Sequence, residues 1–156
     1  MAGDCHGMID RRELLTAGGA SLLVCALPGS ALARPSLAEA VAGFTGGAPV
    51  QTGRVTLTIP PLVENGNAVG VNLAVESPMT AADHVRRIAL FNEKNPQPDI
   101  AIFTLGPRTG RARIATRIRL ATSQTVVAVA EMSDGSYWSS SASVIVTLAA
   151  CIEDLS

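Results

Sequence analysis

Aromatic side chains are scarce: Phe, Tyr and Trp make up 3% of the 156 residues, with one Trp, one Tyr and three Phe. That is too few for a stacking platform that reads bases or sugars. An excess of one charge is also missing, since 12 basic and 13 acidic side chains leave a formal net charge of -1. This excludes a nucleic-acid binder that works by bulk phosphate neutralisation, and a chain held open by its own charge. Two histidines are few for a metal site, and three cysteines cannot all pair with one another. No G-x-S-x-G elbow and no phosphate loop occurs, and the scattered carboxylates form no pair that spacing alone assigns to acid-base work. The length fits one globular domain.

What is present begins with an address. Asp10-Arg11-Arg12-Glu13 places two adjacent arginines before a weakly apolar run from Leu14 to Leu32, which ends in the small-x-small triplet Ala31-Leu32-Ala33. Gly18, Gly19, Pro28 and Gly29 interrupt the run. The pattern predicts a twin-arginine signal over residues 1–33, cut before Arg34, with export to the periplasm and no membrane anchor afterwards. Cleavage leaves 123 residues with ten basic and ten acidic side chains, one histidine, His84, and one cysteine, Cys151. No internal disulfide can then form. A lone thiol in an oxidising compartment tends to pair with something or to react. The twin-arginine route carries folded proteins, often with a cofactor or partner bound. Little in the sequence could hold a cofactor, so none is expected and a co-exported partner is the economical reading.

After the signal the pattern is one short helix and then strands. Ser36-x-x-Glu39 reads as a capping box before Leu37, Ala38, Ala40, Val41 and Phe44, with Gly46-Gly47 as a stop, and predicts a helix over 37–45. Alternation of period two follows in Val55–Ile59, Val69–Val75, Val85–Phe91, Ile100–Leu105, Ala112–Leu120, Thr125–Met132 and Ser143–Leu148. Asn65-Gly66 predicts a tight hairpin between the first two runs. Asn95-Pro96-Gln97-Pro98, Gly106-Pro107-Arg108-Thr109-Gly110 and Asp134-Gly135 separate later ones. About seven punctuated strands predict a mostly β protein, an immunoglobulin-like antiparallel β-sandwich over residues 34–148 with its short helix at the N-terminal side. Its edges need cover, because an open edge pairs readily with another chain. Residues 149–156 form a C-terminal arm carrying Cys151.

Several side chains invite a chemical reading. His84 has only Asp83 beside it and reads as a surface or strand-start residue. Ser139-Ser140-Ser141 lacks a base to activate it and reads as a solvated bulge or strand face. In Arg113-Ile114-Ala115-Thr116-Arg117-Ile118-Arg119-Leu120, alternation puts Arg113, Arg117 and Arg119 on one face. Like charges so placed repel, which calls for something acidic nearby. A solvated sheet face and an anion or partner contact both remain open readings of this stripe.

The stretch Asn92–Trp138 resembles the SoxY sulfur-carrier family, above all in Asn95-Pro96, in Ile114–Ala121 and in Val126–Ser136 with its Ala-Glu-Met-Ser-Asp-Gly run. Leu57–Gly66, the twin-arginine signal and a cysteine close to the C-terminus add to the resemblance. It implies a carrier and not an enzyme, a heterodimer with a SoxZ-like subunit, and thiosulfate-derived sulfur held covalently on the arm cysteine, which maps onto Cys151. It also implies sulfur-oxidising cytochromes and a sulfate-releasing hydrolase as partners. The arm departs from the family's usual Gly-Gly-Cys-Gly-Gly, reading Ala149-Ala150-Cys151-Ile152-Glu153-Asp154-Leu155-Ser156. Alanine is stiffer than glycine, Ile152 is bulky, and Glu153 and Asp154 disfavour a thiolate and repel an incoming anion. Three readings follow: partner enzymes that accommodate this tail, a paralogue that carries another thiol cargo or acts by non-covalent binding, or a Cys151 that is a small hydrophobe ending a strand.

Overall fold

The structure, a computed structural model, describes residues 34–148. Ser36 sets the first element. Its Oγ accepts a hydrogen bond from the Glu39 backbone N–H, and the Glu39 carboxylate accepts one from the Ser36 N–H at 2.7 Å. Two donors that a helix start leaves orphaned are thereby paired. Helix α1 runs Leu37–Thr45, as predicted, and stops at Gly46, whose φ of 63° suits a residue without a side chain.

Nine strands follow: β1 (Val50–Thr52), β2 (Val55–Thr58), β3 (Leu62–Asn65), β4 (Val69–Val75), β5 (Val85–Asn92), β6 (Asp99–Thr104), β7 (Arg113–Ile118), β8 (Gln124–Met132) and β9 (Tyr137–Leu148). They make two sheets, one of order β1-β9-β8-β5-β6 with β3 also on β9, the other of order β2-β4-β7. This is the predicted immunoglobulin-like sandwich, antiparallel but for two pairings: β1 and β3 both run parallel to β9 and cover successive parts of its free edge.

Burial follows from position in the layers. Strand β4 alternates, with Val69, Val71, Leu73 and Val75 buried against the other sheet and Gly70 and Asn72 exposed. Strands β5 and β8 are central and buried on both faces. Ile88, Leu90, Val126, Ala128, Ala130 and Met132 join the core between the sheets, while Ala89, Phe91 and Val129 lie under Leu37, Val41 and Phe44 of α1. The one short helix therefore closes the outer face of the large sheet where that face is most apolar.

Two local expectations are corrected. Asn65-Gly66 makes no tight hairpin. A type I′ turn needs positive φ at both central residues, whereas Asn65 has φ −133° and Gly66 is not among the residues with positive φ. Residues Leu62–Asn65 have joined β9 in the large sheet, so the chain crosses from one layer to the other before β4. Asn65 Oδ1 accepts from the Asn67 N–H at 2.9 Å and caps a single 3-10 turn, Gly66–Ala68. The last strand begins at Tyr137, six residues earlier than the alternating run Ser143–Leu148, and takes in the serine run.

Candidate functional site

The described residues end with β9 at Leu148, the point from which the expected arm would start. Strand β8 pairs with β9 only as far as Gln124↔Val144, after which the last residues of β9 have β3 as their ladder partner, from Leu62↔Ile145 to Asn65↔Leu148. Side chains complete the support. Ser123 Oγ accepts from the Val146 N–H at 2.9 Å, Thr147 Oγ1 donates to the Glu64 carbonyl at 3.2 Å, and the Ile145 N–H donates to the Pro61 carbonyl at 2.8 Å. Cys151 follows Leu148 by three residues and lies outside the described residues, as do the expected signal, residues 1–33, and the rest of the expected arm, 149–156.

Three loops meet at this end. Asn95 ties two of them together: its Nδ2 donates to the Arg119 carbonyl at 2.8 Å, and its Oδ1 accepts from the Ala121 N–H at 2.9 Å and from Gln124 Nε2 at 2.7 Å. Gln124 Oε1 accepts from the Lys94 N–H at 2.8 Å. Asn92, fully buried, donates to the Gln97 and Pro98 carbonyls. The Leu120 N–H donates to the Gly66 carbonyl at 2.9 Å and so brings in the third loop, beside Asn65 and Leu148. Glu93 accepts from the Thr125 N–H at 3.1 Å, and that hydrogen bond holds its carboxyl below the ordinary carboxylate value. Spacing along the chain gave no signal for Ser123, Asn92 or Gln124, whose partners are brought in by folding; Asn95 stood out only through its Asn-Pro pair.

The arginine stripe is divided by the same geometry. Arg113 stands opposite Ala74 and Arg117 opposite Gly70, at the two ends of the β4–β7 ladder. At roughly 3.3 Å per residue they are about 13 Å apart. Arg119, just past β7, belongs to the end from which β9 leaves; Arg113 belongs to the other. The expected acidic neighbours are there without closing an ion pair: Glu76 lines one cleft with Arg111 and Arg113, and Asp99 another with Arg119. The ion pairs among the described residues are Arg86–Glu131 at 3.2 Å and Arg87–Glu131, on the opposite sheet.

His84 sits immediately before β5, half-buried, with Nδ1 3.1 Å from the Thr80 carbonyl oxygen, in keeping with a strand-start histidine. Ser139, Ser140 and Ser141 lie within β9, and Ser139 Oγ donates to the Gln51 carbonyl at 3.5 Å. They are part of a strand face and not a bulge. Among the described residues no three His, Cys, Asp or Glu side chains come together as metal ligands would.

The family model of the sulfur oxidation protein SoxY matches residues 41–151, so that the match closes on Cys151. No curated protein matches the chain. Among solved structures, the sulfur carrier protein SoxY from Chlorobium limicola f thiosulfatophilum is similar at 27% identity with a TM-score of 0.61, over 72% of this chain and 97% of that one. A superoxide reductase (neelaredoxin) from Ignicoccus hospitalis is similar at 16% identity and TM-score 0.56, over 62% of this chain and 94% of that one. A superoxide reductase from Nanoarchaeum equitans follows at 12% and 0.52, over 62% and 100%. At such identities the reductases share the fold and nothing more, and a fold used by both a carrier and a reductase does not choose between them.

Proposed function

From a chain that belongs to the SoxY family of sulfur oxidation proteins, we propose that this protein is an exported carrier holding thiosulfate-derived sulfur on Cys151. The observation that carries the reading is the family match ending on that cysteine, three residues beyond the paired end of β9. Three residues of chain extend to at most about 11 Å, so a thiol placed there can enter a partner's site while the sandwich stays outside it. Its attachment is an oxidation. The Cys151 thiolate and the outer sulfur of thiosulfate form an S–S bond, and the two electrons released pass to a haem-bearing partner. Hydrolysis then cleaves the bond between the sulfane sulfur and the sulfonate group, giving sulfate, two protons and a persulfide on Cys151. Both steps take place in partner proteins, the sulfur-oxidising cytochromes and the sulfate-releasing hydrolase. The chain's own part is to hold and present, as a periplasmic heterodimer with a SoxZ-like subunit, delivered through the signal at residues 1–33.

A second reading rests on one observation, Ala149-Ala150-Cys151-Ile152-Glu153-Asp154 in place of a glycine-flanked cysteine. Here the protein is a paralogue that binds or assembles without a covalent load, or that carries another thiol cargo. Intact-mass measurement on protein purified from thiosulfate-grown cells separates the two. A carrier shows sulfane or thiosulfonate adducts that Cys151→Ser abolishes together with function; a non-covalent subunit keeps partner binding and function in that variant.

A further inference from the structure

The described arginines fall into two groups. Arg34 donates to the Glu93 and Asn92 carbonyls, Arg54 lies 5.3 Å from the centroid of the Trp138 ring, and Arg86 and Arg87 share the Glu131 carboxylate. Arg108, Arg111, Arg113, Arg117 and Arg119 are all exposed. Among the described residues none of these five guanidiniums has an ion pair, a hydrogen bond or an aromatic ring as partner. No Asp or Glu occurs between Gly106 and Leu120. The five lie along or beside β7, an edge of the three-stranded sheet, whose outward neighbours on β4 are Gly70, Asn72 and Ala74. Small neutral neighbours on β4 leave the guanidiniums uncovered, and the nearest carboxylates, Glu76 beside Arg111 and Arg113 and Asp99 beside Arg119, are two against five cations and close no ion pair with them.

We propose that this ridge docks a carboxylate-rich face of a partner protein. Length argues against a single small anion: about 13 Å separates Arg113 from Arg117, and no one sulfur oxyanion bridges that distance. A row of carboxylates can meet the guanidiniums one by one, each in the bidentate geometry that arginine favours. Nucleic acid fits less well, because no aromatic side chain on this sheet face could stack a base. A membrane surface fits less well too, since the exposed large apolar side chains, Leu62, Ile102 and Ile145, belong to the other sheet. Arginines on an edge strand also discourage pairing with a second chain, and the test below separates that protective role from docking. The proposal does not depend on any chemistry at Cys151.

The probe is poly-L-glutamate, titrated into the chain 34–156 at low salt, about 20 mM. Binding is expected to weaken as salt rises. In R113Q/R117Q/R119Q it should fall by about tenfold or more. The same change in net charge placed on the large sheet, T104E/S141E/S143E at three exposed positions, should cost much less. Circular dichroism checks that both variants are folded. Equal losses in the two variants overturn the proposal, because net charge alone then governs binding. So does self-association of the glutamine variant with unchanged polyglutamate binding, the mark of a purely protective edge. Tighter binding of a short DNA duplex or of phosphatidylglycerol vesicles, or one-to-one thiosulfate binding lost in the glutamine variant, also overturns it.

Discussion

Arg87 of β5 stands opposite Glu131 of β8 in the antiparallel ladder and donates from Nε to its carboxylate, while its guanidinium lies 4.6 Å from the centroid of the Phe44 ring. The carboxylate is nearly buried, at 7% side-chain exposure, and Arg86 reaches it from a second direction. Helix α1 is therefore held to the sheet by its apolar contacts and by a cation lying across its last aromatic. Removing Glu131 should loosen both attachments. Glu131→Ala is expected to cost about 1–2 kcal/mol, less than a fully buried pair because both arginines are partly solvated. Urea unfolding with unchanged m-value checks this, and a double-mutant cycle with Phe44→Leu should show coupling.

The end of β9 depends on β3. Val63 and Val146 are neighbours in that ladder and both pack against the main core. Val63→Asp should destabilise the fold by about 2 kcal/mol. Its local signature is sharper: hydrogen exchange at the amides of Ile145–Thr147 should accelerate far more than at Val129, whose neighbours are untouched.

Acid should weaken the helix start. Hydrogen bonds from Ser36, backbone before side chain, hold the Glu39 carboxyl below its ordinary value of 4.5. A carboxyl depressed on folding contributes stability that is fully present above its unfolded value and lost as pH falls through its folded one. The contribution should therefore decline below about pH 4.5. Glu39→Gln should flatten that part of the stability profile while leaving neutral pH little changed. Asp134 shifts the same way through its hydrogen bonds from Ser136, side chain before backbone, so Asp134→Asn should show a second, separate flattening.

The arm offers a direct test of stiffness. If the carrier reading holds, replacing Ala149, Ala150 and Ile152 together by Gly should speed cargo loading several-fold without changing unfolding of the sandwich, because glycine widens the backbone angles open to the arm. Stopped-flow loading by a haem partner measures the first quantity and thermal melting the second.

Much of this architecture is legible in the sequence where local chemistry decides. Ser36 and Glu39 announce α1 because a capping box is made and completed within four residues. Alternating valines announce β4 because one face of that strand is buried and the other wet. Strands β1 and β3 escape notice because each is three or four residues long and owes its existence to β9, whose Thr147 meets Glu64 across 83 residues of chain. The first half of β9 escapes because serines replace the alternating apolar signal from Ser139 onward. The candidate site divides in the same way: Cys151 and a row of arginines can be read directly, whereas Ser123, Asn95 and Gln124 acquire their partners only when distant loops meet.

The two short parallel strands on β9 have a consequence for when this protein becomes a protein. Strands β1, β3 and β8 all await a partner that is the last of the described strands to be made, so the large sheet cannot close until Tyr137–Leu148 has been synthesised, and its longest-range contacts form late. A chain stopped anywhere before Tyr137 would present three unpaired strand edges to its surroundings. Folding is thus a report on β9: a cell that passes only folded copies onward would, with this topology, pass only chains that had been made past that strand.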